Sequence, residues 1–114
     1  MPHEAVIEAL ESALRDRSTE GEAASVLVGT ALNDDDQAFI EHWCIEIGTR
    51  AVPGSPLLGL AALCLGHTAR RFGHLSDEAL TLVKSLAARA EADRLDVDGR
   101  AVDGYDDVRS FLHL

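Results

Sequence analysis

The spacing of apolar residues along the chain predicts helices and no strands. Strict alternation of apolar and polar residues never runs for long, and alanine and leucine predominate over the β-branched and aromatic residues that favour strands. Apolar residues recur instead at intervals of three and four, which places them on one face of a helix. The pattern predicts six helices, at about residues 3–16, 19–32, 36–51, 56–72 and 77–93, with the sixth after the polar joint 93–99.

The first joints carry polar capping signals. Thr19 and Glu22 are three residues apart and fit a capping box at the start of the second helix. Asn33 suits the end of that helix, because asparagine tolerates the left-handed conformation. Asp34 or Asp35 is then expected to be the N-cap of the third helix.

The later joints are marked by proline, glycine and serine. The segment VPGSP, residues 52–56, stops the third helix, since proline and glycine continue a helix poorly. Ser55 is expected to cap the fourth helix, with Pro56 at its first position, where a missing N–H costs nothing. Gly73 is expected to end the fourth helix and Ser76 to cap the fifth.

The length and the joints together limit the architecture. A chain of 114 residues suits one compact domain, so we expect a single helical domain over residues 1–114. Short joints make successive helices pack antiparallel, either as stacked helical hairpins or as an up-and-down bundle. Helix pairs recur at roughly 35 to 40 residues, which favours the stacked hairpins.

The stretch GLAALCLGHTARRFGHL, residues 59–75, begins as a core helix. Its first half is apolar nearly all round, which predicts burial. Gly59 and Gly66 interrupt it, although a glycine in a helix interior costs about 1 kcal/mol relative to alanine. Their presence predicts that a neighbouring helix backbone approaches closely there.

The second half of that helix carries a basic side, formed by His67, Arg70, Arg71 and His74. Two interpretations stay open. Arginines near a helix C-terminus interact favourably with the dipole and pair with the chain's own acids. Alternatively, the basic side is a recognition surface, because arginine is enriched at binding hot spots.

The charge balance excludes one class of partner. Twenty acidic residues and ten basic ones give a formal net charge of -10. Such a chain repels phosphate backbones, so no nucleic-acid partner is expected. The same acidity suits solubility and the capture of a basic protein partner.

The chain shows no sign of a membrane or secretory segment. No apolar run is long enough to span a bilayer, and the N-terminal MPHEAVIEAL lacks a basic region followed by an apolar one. We therefore expect a cytoplasmic protein with no membrane partner. Cys44 and Cys64 are then expected to be reduced, buried thiols, although the sequence leaves a disulfide between them open.

The histidines and cysteines do not form a metal pattern. Cys64 and His67 are three residues apart, and His42 and Cys44 are two apart. Zinc sites use four ligands in paired, well-spaced sets, and Cys64 belongs to the apolar side of its helix. We expect no metal site.

The acid-rich segment DVDGRAVDGYDD, residues 96–107, does not fit a calcium loop. Aligning Gly99 as the sixth residue of an EF-hand places Arg94 first, where an acid is required. Asp96 or Asp98 is better explained as the N-cap of the sixth helix. That helix then exposes an acidic side formed by Asp103, Asp106 and Asp107.

The sequence contains no catalytic motif. Both cysteines lie in apolar stripes, and buried thiols are inert. A glycine-rich phosphate loop, a G-x-S-x-G elbow and an H-E-x-x-H helix are all absent. We expect neither enzyme activity nor a cofactor.

The second half of the chain resembles a known family. Residues 60–108, LAALCLGHTARRFGHLSDEALTLVKSLAARAEADRLDVDGRAVDGYDDV, resemble the closing section of small HEAT-like helical-repeat proteins of bacteria. In these proteins a helix like ALCLGHTARRFG precedes a connector like HLSDEAL. The segment GRAVDGYDDV resembles the second helix of their last repeat. Such small proteins often serve as immunity proteins beside polymorphic toxins.

The resemblance implies HEAT-like stacked hairpins and a non-enzymatic binding role. As an immunity protein the chain would bind a cognate toxin and block its active site, and an acidic inhibitor suits a basic, nuclease-like target. The acidic side of the sixth helix or the concave side of the stack would make the contact. Two alternatives stay open: a generic adaptor or oligomerisation domain, and a small metal protein or enzyme that uses His67 and Cys64.

Overall fold

The computed structural model describes residues 1–114 and is all-helical, without a strand. The six predicted helices are confirmed, with bounds within one residue of those expected. They are α1 His3–Arg15, α2 Glu20–Asn33, α3 Gln37–Arg50, α4 Pro56–Phe72, α5 Asp77–Ala92 and α6 Arg100–Leu112. A single 3₁₀ turn, Arg17–Thr19, precedes α2. None of the helices is long and apolar enough to cross a bilayer.

The helices form three hairpins stacked in two layers. Helix α3 lies between α1 and α5 in one layer, and α4 lies between α2 and α6 in the other. The molecule measures 35 × 33 × 18 Å, and the short dimension fits two helix layers packed about 8–10 Å apart. The first hairpin, α1–α2, makes no helix–helix contact with the third, α5–α6. The fold is therefore an open stack and not a closed up-and-down bundle.

Helices within one layer run in the same direction. Near the starts of α2 and α4, Ser55 Oγ donates to the Glu20 carboxylate over 2.6 Å. At the ends of the same two helices, the Arg71 guanidinium reaches the Ala31 carbonyl. Antiparallel hairpins produce this arrangement, because each second helix returns to the same end of the molecule.

The caps at the second and third hairpins are confirmed. The hydroxyls of Ser55 and Ser76 each accept a backbone N–H from the first turn of the helix that follows. Pro56 occupies the first position of α4, and Gly73 ends it in the left-handed conformation at φ 77°. These signals depend on a few adjacent residues, so the sequence alone was enough to place them.

The predicted capping box at Thr19 and Glu22 is wrong. The Thr19 side chain makes no capping hydrogen bond, and its backbone lies at φ −97°, ψ 5°. The 3₁₀ turn begins the helical segment earlier, so Asp16 supplies the cap by accepting the Ser18 N–H over 3.0 Å.

The predictions for the joint between α2 and α3 are also wrong. Asn33 is the last residue of α2 and is not left-handed, and Asp36 is the N-cap of α3, in place of Asp34 or Asp35. The Asp36 carboxylate accepts the Phe39 N–H over 3.1 Å. Asp34 is engaged in the turn itself, where its carboxylate accepts the Asp36 N–H over 2.8 Å.

The close helix approach predicted from the α4 glycines is confirmed at Gly66, whereas the close neighbour of Gly59 is the Asp98 side chain in the joint before α6. A side chain at Gly59 would meet the Asp98 carboxylate, and one at Gly66 would meet the Gly104 carbonyl and Asp107. On the α6 side, a side chain at Gly104 would collide with the α4 backbone. Because small residues meet from both sides, α4 and α6 pack backbone to backbone, and α4 forms the centre of the core.

Candidate partner-binding surfaces

The basic side of α4 is divided among its neighbours. A helical wheel places the four residues together, but His74 lies beyond the end of α4, and the helix itself has α2 on one flank and α6 on the other. Each side chain therefore faces a different environment according to the flank it reaches.

Arg71 is bound within the protein. Its Nη1 donates to the Ala31 carbonyl over 2.7 Å, and its Nη2 lies 3.4 Å from the Asp35 carboxylate. The guanidinium also lies 4.7 Å from the centre of the Phe72 ring. Ala31 belongs to the last turn of α2, where carbonyl groups lack partners within the helix. Arg71 therefore caps α2 and is only partly exposed.

His67 lies towards α6. Burial lowers the pKa of its ring, the positive charge of Arg70 lowers it further, and the Asp107 carboxylate partly opposes both. Arg70 is exposed and forms no ion pair. Of the four basic-side residues, Arg70 is the cation most available to a partner.

His74 is exposed in the joint between α4 and α5, where its backbone carbonyl accepts Gln37 Nε2 over 2.7 Å. The same amide nitrogen donates to Glu41, which also accepts the Ser76 N–H over 3.0 Å. Sequence reasoning missed Glu41, which is only 8% exposed. Glu41 lies three residues before Cys44, which places it on the buried side of α3. This spacing is the feature of the sequence that could have predicted its burial.

The acidic side of α6 contains three different environments. Asp103 is exposed, and Asp106 forms an exposed ion pair of 2.9 Å with Arg109 on the same helix. Asp107 lies against Gly66 in the seam between α4 and α6, close to His67. The structure thus brings His67 and Asp107 together and leaves Asp103 free on the surface.

The acid-rich segment before α6 is held by arginines. Arg89 makes two hydrogen bonds to Asp96, of 2.9 and 2.7 Å, which lower the pKa of that carboxyl. The Asp98 carboxylate accepts the first N–H of α6, from Arg100, over 2.9 Å. The N-cap of α6 is Gly99, so the prediction of a cap at Asp96 or Asp98 is wrong; Asp98 binds the first N–H of the helix from the position before the cap. No three His, Cys, Asp or Glu side chains converge in a group that could hold a metal ion.

The two cysteines are neighbours in the core. Cys44 on α3 and Cys64 on α4 are both free thiols with no exposed surface. The adjacent Cys64 thiol, burial and the Glu41 carboxylate all raise the pKa of Cys44. A thiol held in its neutral form is a poor nucleophile.

A groove between α3 and α5 is a further surface that the sequence pattern did not indicate. It consists of two adjoining cavities of about 450 Å³ and about 410 Å³, which share Ile45 and Glu78. The pattern could show which residues each helix exposes. It could not show that α3 and α5, which are separated by α4 in the chain, lie side by side.

Comparisons were made with models of known protein families, with curated protein sequences and with solved structures. None of the three gave a match to this chain.

Proposed function

We propose that this chain is a cytoplasmic, non-enzymatic protein-binding module, most concretely an immunity protein that binds and neutralises a cognate bacterial toxin. The observation that carries the proposal is that most of the molecule's cationic side chains are paired with its own acidic side chains. Six of its ten lysine and arginine residues, all of them arginines, form ion pairs with its own acids.

The composition leaves a formal net charge of -10, and the pairing leaves few of the cations free to offset the surplus of carboxylates at the surface. A negative surface on a rigid helical stack attracts a basic protein and speeds its encounter, while it repels nucleic acid and other acidic proteins. A toxin domain that acts on nucleic acid carries a basic active-site surface. The positive charge of that surface is complementary to the negative surface of this chain. Binding there would exclude the substrate without any chemistry by the inhibitor.

The test is co-expression of this chain with a candidate toxin domain from a neighbouring gene. We expect growth to be rescued and the purified pair to associate faster at low salt than at high salt, because screening shortens the range of the attraction. Absence of rescue with both proteins present at normal levels would refute the immunity role.

One observation favours an adaptor or oligomerisation role as a second candidate. The first hairpin lies at an end of the stack and exposes two large apolar side chains, Ile7 at 38% and Leu32 at 41%. Apolar surface at the end of a helical stack is suited to self-association. Sedimentation of the purified chain over a range of concentrations distinguishes a monomer from such an assembly.

A further inference from the structure

The groove between α3 and α5 has no polar bridge along its length. No hydrogen bond or ion pair joins a residue of α3 to a residue of α5. One contact closes the end of the groove, where the Ser76 N–H in the joint before α5 donates to Glu41. Small residues on both walls, among them Thr49 and Ser85, leave the space between them unfilled.

The neighbouring seam in the same layer, between α1 and α3, differs in being bridged by polar and aromatic side chains. Between α1 and α3, Arg50 makes two hydrogen bonds to Glu11, of 2.8 and 2.9 Å. At the other end of that seam, the His3 ring stacks on Phe39 with 3.6 Å between ring centres. The chain therefore bridges one seam of this layer with polar and aromatic side chains, and in the other it packs Leu82 of α5 against Gly48 of α3 without a polar bridge.

The groove has an apolar floor and an acidic rim. Ile45 and Leu82 are half-buried and form the floor, with Leu82 lying directly over Gly48. Four carboxylates and no lysine or arginine line the groove; the acids are Glu41, Glu46, Asp77 and Glu78.

Only some of these four carboxylates have a hydrogen-bond or ion-pair partner in the protein itself. Glu46 lies 3.5 Å from Arg50 and 3.7 Å from the His42 ring, and Glu41 is occupied by its hydrogen bonds. Asp77 and Glu78 are exposed and form no ion pair. They stand in the first turn of α5, at the rim beside the apolar floor.

We propose that this groove binds a basic segment of the partner protein. An apolar side chain of that segment packs on Ile45 and Leu82, while flanking lysines or arginines face Asp77 and Glu78. Apolar contact at the centre with opposite charge at the rim is the arrangement that gives protein interfaces both affinity and fast association. This inference rests on the proposed function, since it names the surface by which a protein-binding module meets its partner.

The probe is a short amphipathic peptide of leucine and lysine, with the same peptide carrying glutamate for lysine as the control. Ser85→Arg places a bulky cation in the groove, and Ser85→Glu places an anion there. Both substitutions lie on an exposed helix position and replace serine by a better helix former. Ser25→Arg adds the same charge to an exposed position of α2, outside the groove.

We expect the lysine peptide, but not the glutamate peptide, to bind the intact chain in fluorescence anisotropy. Ser85→Arg should weaken binding by at least about tenfold, a difference that local charge and bulk at one interface position can supply. Ser85→Glu should bind as well as or better than the wild type, and Ser25→Arg should bind nearly as well. If Ser85→Arg and Ser25→Arg weaken binding equally, the peptide is attracted by the overall charge of the protein and not by the groove. That result would overturn the proposal.

The same variants separate this inference from the immunity role. If the wild type and Ser85→Arg rescue growth equally against the toxin, the immunity role stands and the groove is not its binding surface. If the wild type fails to rescue while the peptide still binds in the groove, the immunity role fails and the groove proposal stands. Circular dichroism of each variant checks that the fold is retained.

Discussion

Arg71 shows how one side chain ties the end of one helix to the end of another. Adjacent Arg70 lies on the same side of a helical wheel, but it points to solvent and forms no ion pair. Arg71 meets α2 and donates to the Ala31 carbonyl, which the helix itself leaves unpaired. The sequence placed both arginines on one basic side and left internal pairing and partner binding open. It could not show that Arg71 alone meets α2, because Ala31 lies 40 positions away in the chain.

Charge reversal at these two positions should therefore have unequal effects on stability. Arg71→Glu leaves the Ala31 carbonyl without its donor and places a second acid near Asp35, so unfolding free energy should fall by about 1–3 kcal/mol. Arg70→Glu is the matched control and should change it by less than about 0.5 kcal/mol, as expected of an exposed site. Urea denaturation at neutral pH measures both, and equal losses would contradict the role given to Arg71.

His67 makes stability depend on pH. Its pKa is lowered in the folded protein, chiefly by burial, from a value near 6.5 in the unfolded chain. As pH falls below about 6.5, the unfolded state takes up the proton before the folded state does, so stability is lost until the lower folded pKa is reached. At higher pH both states hold the neutral ring, and no penalty applies.

Replacing His67 by a residue that does not titrate should remove this loss of stability at low pH. Between about pH 7.5 and about pH 5.5, where carboxylates still titrate little, His67→Gln should lose less stability than the wild type. Denaturation curves at the two pH values supply the comparison. An identical loss in both proteins would show that His67 is not the group responsible.

At the scale of elements, the seam between α4 and α6 is the tightest contact in the molecule. Gly104 lies so close to the Ala62 carbonyl that even a methyl group has no room. Gly29 on α2 offers the opposite case, since nothing lies within 4 Å of the position a Cβ would take. Gly104 is thus required for close helix packing, whereas Gly29 has no packing role.

Alanine substitutions should separate the two glycines. Gly104→Ala forces α6 away from α4 and should destabilise the protein by about 1–3 kcal/mol, the usual cost of overpacking. Gly29→Ala should stabilise it by up to about 1 kcal/mol, because alanine is the better helix former. Thermal denaturation of the two variants tests the contrast, and a stabilising Gly104→Ala would contradict the packing described.

The elements that could be predicted are those specified by neighbouring residues. Apolar spacing located all six helices, and Ser55, Ser76 and Gly73 marked their ends, since each acts within one turn. Asp36 was missed as a cap because three consecutive aspartates compete for that role, and the turn geometry decides among them. The α3–α5 groove was missed because the pairing of those helices depends on how hairpins stack.

At the scale of the whole molecule, the middle hairpin is covered on both sides. Cys44 and Cys64 lie in α3 and α4 with no exposed surface, beneath the contacts made by the first and third hairpins. Access to either thiol requires these contacts to open. The two cysteines are therefore internal reporters of opening of the entire stack.

A thiol reagent should consequently label both cysteines together and only slowly. With an excess of reagent that makes opening rate-limiting, the labelling rate should equal the global unfolding rate measured in denaturant. Gly104→Ala, which loosens the stack, should accelerate labelling of both thiols. Rapid reaction of one cysteine in the native protein would show that the middle hairpin opens on its own.

The open stack has a consequence for how this protein can change over generations. Because the first and third hairpins do not touch, substitutions at one end should alter stability independently of substitutions at the other. Each end can accumulate changes on its outer surface without a compensating change at the far end. Substitutions in the middle hairpin, which contacts both ends, should instead couple to changes at either one.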